Sequence, residues 1–221
     1  MGDRQYLRDY ILANGVFVLV GLLGLIAAGD SKSLDFLHRF LAPGDARPLV
    51  RFLSDACLYG FYLFFFVTLV GSYLRPNPRA RRIVQAYLLA EIFGSLLVVR
   101  SLKMVLGRAR PDAGVGDGFH GFAWGPDLHA FPSGHAVDVW ICAFFAGLLL
   151  PHRSLRWLVI GLAVLVSLTR LMMNVHWPSD VVVGALIGGV ISLLVRRYWL
   201  LPRWEGAVAA SASSTMAIPP R

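Results

Sequence analysis

Residues 157–186 read WLVIGLAVLVSLTRLMMNVHWPSDVVVGAL, and this stretch decides the fold. An apolar run over about 157–175 carries a single cation, Arg170. It breaks at His176-Trp177-Pro178 and resumes over about 181–200. Each run approaches the ~20 residues that a helix needs to cross roughly 30 Å of hydrocarbon. Proline disfavours helical geometry just before it and suits the first helical position. One helix is therefore expected to end near Val175 and the next to start near Pro178. His176 then sits in the hinge, and Asp180 in the first turn of the second helix.

Four more apolar runs precede these, at about 11–28, 56–74, 83–106 and 136–150. The last is short and needs its flanks or a shallow placement to serve as a span. The chain has 221 residues, 57% apolar and 15% charged, where a soluble domain carries about a quarter charged residues. The runs are continuous rather than alternating, which argues against a membrane barrel. The expected fold is an all-α polytopic membrane bundle of six transmembrane helices. It forms a single domain over 1–204, followed by an Ala-, Ser- and Pro-rich tail at 205–221 that is expected to be disordered. Asp3, Arg4, Arg8 and Asp9 precede the first run and no small-residue cleavage site follows it, so it reads as a span and not a cleavable signal. Cys57 and Cys142 both fall within runs, which excludes a disulfide framework.

With six spans, the termini share a side with the 75–82 and 151–156 loops. That side holds twelve of the 21 Lys and Arg residues, and the other holds nine. Five of the nine lie in or beside the motif segments below. Setting these aside leaves a clear excess on the side of the termini, which makes that side cytoplasmic. The motifs then face away from the cytoplasm, and the chain belongs in a cytoplasmic (inner) membrane. The net charge of +8 lies at span ends, so it reads as topology and not as nucleic-acid binding.

Three short clusters gather at the non-cytoplasmic ends of the spans: Lys103-(x6)-Arg110-Pro111, Pro132-Ser133-Gly134-His135, and Thr169-Arg170-(x5)-His176-(x3)-Asp180. Pro132-Ser133-Gly134 should turn tightly into the helix that holds His135. Helix starts present unpaired N–H groups that bind phosphate, and Gly134 allows close backbone approach. Two such starts, with Lys103, Arg110 and Arg170, would neutralise a phosphoryl group. Asp180 could fix the tautomer of His176 and leave the other nitrogen free to attack. Taken singly, each piece also has a plain structural use: a helix start, an interfacial anchor, or a core histidine satisfied by Asp180. Arg170 is the hardest to treat this way, because charge inside a membrane is costly.

Together the three clusters resemble the three-part signature of the type 2 phosphatidic acid phosphatase (PAP2) superfamily, directly over about 103–180. Thr169 departs from it, standing where the family pattern usually has serine. The resemblance implies that His176 is the nucleophile and forms a phospho-histidine, that Asp180 orients it, and that His135 protonates the leaving oxygen and then activates water. It also implies that Lys103, Arg110, Ser133, Gly134 and Arg170 bind the phosphate, with no metal and no cofactor. The expected partners are a membrane lipid phosphate and the bilayer, and the oligomeric state is left open. The resemblance points to a hydrolase for lipid phosphate or diphosphate monoesters. Isoprenoid diphosphate, phosphatidylglycerophosphate, phosphatidate and lipid A phosphate all remain open. The 107–111 stretch and the 112–130 loop bear a slighter resemblance to lipid A phosphatases. A phosphotransferase using the same histidine, a phosphatase for a soluble ester, and a non-catalytic bundle are the alternatives.

Four charged residues stand outside this scheme. Arg100 on span three and Asp138 on span four could pair, or could each reach the headgroups alone. Glu91 lies deeper, where a carboxyl bonded between helices is the simple reading. Arg108 is either a second phosphate ligand or a surface charge. His120, Asp127 and His129 lack metal-ligand spacing, and their loop reads as a cap over the headgroup pocket. Leu34, Leu37 and Leu41, with Phe36 and Phe40, fall at helical spacing and suggest a short helix in the outer interface.

Overall fold

The computed structural model describes residues 2–42 and 44–201, so the proposed tail at 205–221 lies outside the described residues. Those described form helices and loops with no strand. They comprise α1 (Gly2–Leu41), α2 (Arg47–Leu74), α3 (Pro78–Glu91), α4 (Arg100–Leu106), α5 (Gly134–Leu149), α6 (Arg153–Met172) and α7 (Pro178–Val195). A π-helical stretch, Ile92–Val99, joins α3 to α4 into one span, and a second, Arg196–Leu200, extends α7. Five helical segments have the length and apolarity to cross a membrane, and α5 is the shorter sixth. The protein is a multi-pass membrane bundle.

The short helix α5 stands at the centre. Nearly every side chain from Ala136 to Leu148 is buried, as expected of a helix apolar on all faces. Its neighbours compensate for its length. Tyr6, Tyr10 and Asn14 recur at four-residue spacing on α1, one helical face. The Tyr6 hydroxyl donates to the Ala143 carbonyl at 2.6 Å and that of Tyr10 to the Trp140 carbonyl at 2.9 Å, both on α5. The Asn14 amide donates to the Ala185 carbonyl of α7 at 3.1 Å. The outer faces of α1 and α2 instead expose apolar side chains such as Ile26 and Phe66, which suits a lipid-facing surface.

The crossing of α5 and α7 sets the site. A Cβ on Gly184 would lie 2.7 Å from the Ser133 carbonyl oxygen, and one on Gly188 would lie 2.6 Å from that of Val137. Only glycine at these two positions lets the helix starts approach so closely, the small-xxx-small device of membrane packing. At the other surface, Asp3 meets Arg79 at 2.8 Å and Arg156 at 3.6 Å. The N-terminus therefore shares a face with the 75–77 and 151–152 turns, as the six-span topology requires.

Gly29 breaks α1 with φ +73°, a left-handed value that glycine adopts without steric cost. The segment after it packs Leu34 against Ala130, Leu171 and Trp177, while Phe36 and Phe40 stay exposed. The interfacial helix expected there is thus the continuation of α1. It closes the bundle beside the α6–α7 turn, where the His38 Nε2 atom lies 2.7 Å from the Leu171 carbonyl oxygen.

Candidate active site

The α6–α7 turn begins earlier than the sequence suggests. Helix α6 stops at Met172, and Asn174 takes a left-handed φ of 58°, which asparagine tolerates better than most residues. The chain then swings so that His176 is buried, 3% exposed, with Nδ1 3.6 Å from Asp180 Oδ2. Asp180 is wholly buried. Its Oδ2 accepts from the Trp177 N–H at 2.8 Å, and its Oδ1 accepts from Arg108 Nη1 at 2.6 Å. Burial pushes the His176 imidazole down from its ordinary 6.5 to about 4, with Asp180 opposing and Lys103 and Arg170 reinforcing the shift. His176 is therefore neutral at physiological pH.

Arg108 is neither a surface charge nor a free phosphate ligand. It is 4% exposed and bonds Asp180, Ser179 Oγ at 2.6 Å and Asp30 Oδ2 at 2.7 Å. Asp30, delivered by the Gly29 break, also accepts from the Ser179 N–H at 2.8 Å. Asp30 and Asp180 thus occupy the donors at the start of α7. The two open helix starts expected from the sequence reduce to one: no side chain caps α5 at Ser133. A Cβ on Gly134 would meet only Val99, at an ordinary 3.8 Å, so no side chain crowds this residue.

The sequence clusters converge on that start. Lys103 lies within electrostatic reach of Arg110, Arg170 and Asp180. Its ammonium donates to the His129 carbonyl at 2.6 Å, and Arg110 Nε donates to that of Pro126 at 3.1 Å, so both are held by the 107–133 loop. Gly107 ends α4 with a left-handed φ of 53°, and a Cβ there would collide with the Gly121 carbonyl oxygen. The loop folds back at this point, its Ala123 and His120 N–H groups bonding the Met104 and Gly107 carbonyls at 2.9 Å. Among the described residues, Arg170 Nε and Nη1 and the Ser133 hydroxyl are buried without a hydrogen-bond partner. Arg170 has only an ion pair with Asp55, at 3.7 Å. His135 Nε2 lies 3.0 Å from the same Asp55 oxygen.

Asp55 escaped the sequence reading. Its only signal is an acidic residue, next to Ser54, at the mouth of the second apolar run. The Ser54 and Thr169 hydroxyls share a hydrogen bond at 2.9 Å, so the position at which this chain departs from the signature pins α2 to α6. The suggested Arg100–Asp138 pair does not form. Arg100 is exposed, and Asp138 takes the Tyr62 hydroxyl at 3.4 Å. Glu91 accepts from the Cys142 thiol at 3.7 Å, a carboxyl bonded between α3 and α5. His129 Nε2 contacts the Ala123 carbonyl oxygen at 3.0 Å, and no three His, Cys, Asp or Glu side chains among the described residues group as a metal site.

A family model described as the PAP2 superfamily matches residues 79–204, more than half of the chain and the whole of the three clusters. A lipid A 1-phosphatase of Rhizobium etli is 39% identical over 114 residues, 50% of this chain and 48% of that protein. One of Rhizobium johnstonii is 34% identical over 146 residues, 62% of this chain and 59% of its own length. An undecaprenyl-diphosphatase of Sulfolobus acidocaldarius is 44% identical over 71 residues, 31% of this chain and 33% of that protein. The chain spans about half the length of the curated relatives it matches first. The crystal structure of Aquifex aeolicus LpxE superimposes with a TM-score of 0.52 at 21% identity, covering 76% of this chain and 95% of that one, which is a likeness of fold. With all three clusters inside the matched span, the chain belongs to the PAP2 superfamily.

Proposed function

We propose that this chain, read as one six-span unit over 1–204, is an integral membrane phosphatase of the inner membrane. Its substrate is a lipid phosphate or diphosphate monoester, taken at the non-cytoplasmic face. The observation that carries this reading is the buried Arg170 guanidinium, two of whose nitrogens have no hydrogen-bond partner among the described residues, beside a neutral, buried His176. Buried donors of this kind call for an anion. The uncapped start of α5, the Ser133 hydroxyl, Lys103 and Arg110 would hold the phosphoryl oxygens, and charge neutralisation of that kind is most of what phosphoryl transfer needs.

In this mechanism Asp180 holds His176 Nδ1–H, and the Nε2 lone pair forms a bond to phosphorus. The bond from phosphorus to the leaving oxygen breaks, and His135, which takes up a proton from solvent when the phosphate dianion binds beside it, gives that proton to the oxygen. His135, now neutral, takes a proton from water as the water oxygen attacks phospho-His176. Phosphate leaves and both histidines return to their starting states. An apolar groove of about 550 Å³ supports a lipid substrate. It is lined by Ala56, Cys57 and Phe61 of α2 and by Leu158 and Leu162 of α6, and it adjoins Asp55 along α2. Lipid A 1-phosphate and undecaprenyl diphosphate, suggested by the names of the relatives, head the candidates.

The test is phosphate release by the purified protein in detergent, with chelator present, from a panel of lipid phosphates. Turnover of at least one, lost in His176→Ala, is expected; no turnover of any overturns the reading. The orientation has its own test. A cysteine placed in the 113–125 loop should react with a membrane-impermeant thiol reagent in intact cells, and one at 77–80 should not. The reverse labelling would place the site at the cytoplasmic face.

A further inference from the structure

Among the described residues, Asp55 is the one carboxylate that meets both His135 and Arg170, and α2, which carries it, lies outside the family-matched residues 79–204. We propose that Asp55 is a positioning residue for His135, holding its Nε2–H so that Nδ1 is the nitrogen that exchanges a proton with the leaving oxygen. The proposal rests on the phosphatase reading and adds to it a residue from a helix that the signature does not cover.

The placement is built rather than incidental. Ser54, 2% exposed, is bonded to Thr169, which fixes the register of α2 against α6 one residue before both Asp55 and Arg170. Asp55 Oδ1 then falls 3.0 Å from His135 Nε2 and 3.7 Å from Arg170 Nη1. The other charges around His135 are Arg170 on α6, Lys103 on α4 and Asp138 one turn along α5, with His176 and Asp180 at the neighbouring start of α7. Two of these groups are fixed cations, and both oppose a charged imidazole. Asp138 is bonded to Tyr62, and Asp180 is taken by Arg108. That leaves Asp55 to support a proton-donating imidazole by direct contact, as a carboxylate on one ring nitrogen does. Each histidine then has its own carboxylate: Asp180 for the nucleophile and Asp55 for the acid.

The rival reading is that Asp55 merely fills the phosphate position and gives way to it. Asp55→Asn keeps the shape and removes the charge, and the two readings diverge on it. The comparison uses wild type, Asp55→Asn and Asp55→Glu, each checked for an unchanged melting temperature in detergent. The substrates are a long-chain alkyl phosphate and para-nitrophenyl phosphate, whose leaving group needs no proton. For Asp55→Asn, kcat on the alkyl ester should fall roughly 10²-fold with KM within about threefold, since a general acid supplies about that much or more. Release of nitrophenolate in the first turnover, which needs no proton from His135, should hardly change, while later turnovers slow because the same histidine must activate water; Asp55→Glu should recover part of the loss. Equal losses in the first-turnover release of the two leaving groups, or unchanged kcat with tighter vanadate inhibition, overturn the proposal. If wild type releases phosphate from neither ester nor from any lipid phosphate, the phosphatase reading itself falls. An active wild type with an unaffected Asp55→Asn sinks this inference alone.

Discussion

His176 Nδ1 and Asp180 Oδ2 stand 3.6 Å apart, and that carboxylate is already held by the Trp177 N–H and by Arg108. Asp180 therefore cannot swing to follow the imidazole. At 3.6 Å the imidazole stands beside this fixed acceptor without a hydrogen bond to it, and the proposed mechanism requires the two to close so that His176 keeps one tautomer.

His176→Ala should abolish turnover, because the proposed reaction runs through a bond from its Nε2 to phosphorus. His135→Ala should leave substrate binding nearly intact and slow bond cleavage by roughly 10²–10⁴-fold. Single-turnover phosphate release separates the two. A His176→Ala protein that keeps more than a small fraction of activity would overturn the mechanism.

Arg108→Ala should be among the most damaging substitutions outside the signature. It strips the countercharge from Asp180 and Asp30, both tied to the start of α7. Breaking a buried ion pair by removing one partner costs about 3–5 kcal/mol. The melting temperature in detergent should fall, and kcat with it. Arg108→Lys should recover little, since a single ammonium cannot bond Asp180, Ser179 and Asp30 from a planar fork.

The pH response follows from His176. Its folded pKa of about 4 lies below the ordinary 6.5, so between these values the unfolded chain binds a proton that the folded protein refuses. This contribution to stability is complete above about pH 6.5 and is lost as pH falls toward 4. Thermal melts across that window should show a falling midpoint in wild type and a flatter profile in His176→Gln. In the proposed mechanism His176 stays neutral until pH approaches 4, so the acid limb of kcat/KM due to His176 should lie near pH 4 and not near 6.5.

Gly184→Ala should impair activity with no loss of any charged or polar group. Its methyl group would press on the Ser133 carbonyl and on Ala136, separating the starts of α5 and α7 that carry His135 and Asp180. Gly24→Ala, where no neighbour lies within 4 Å, is the control and should be nearly silent. Phosphate release by the two variants at matched protein levels makes the comparison.

Chelators should leave phosphate release intact, and vanadate should inhibit it by taking the geometry of the transferring phosphoryl group. Loss of activity in EDTA, restored by a divalent ion, would overturn the metal-free mechanism.

Much of this was legible in the residues because it depends on local order. Apolar runs of span length, the Pro178 helix start, and the cation and histidine spacings follow from what a helix and a bilayer require, so the bundle and the membership of the three clusters could be read in advance. Arg108 and Asp55 could not be read this way. Each looks like an ordinary charge at a span end, and their roles arise from partners on other helices: Asp30 beyond the Gly29 break, Asp180 on α7, His135 on α5. The same holds for the α7 helix start, which looked open to phosphate until Asp30 and Asp180 were found occupying its donors. Arg100 and Asp138 were a reasonable pair by their position along the chain, but rotation about the helix axes set Arg100 outward and gave Asp138 to Tyr62. Periodicity determines which residues reach the membrane surface, whereas helix rotation, register and the Gly184–Gly188 approach of α5 and α7 decide which of them touch. Those quantities come from packing between segments far apart in the chain, and only the tertiary structure carries them.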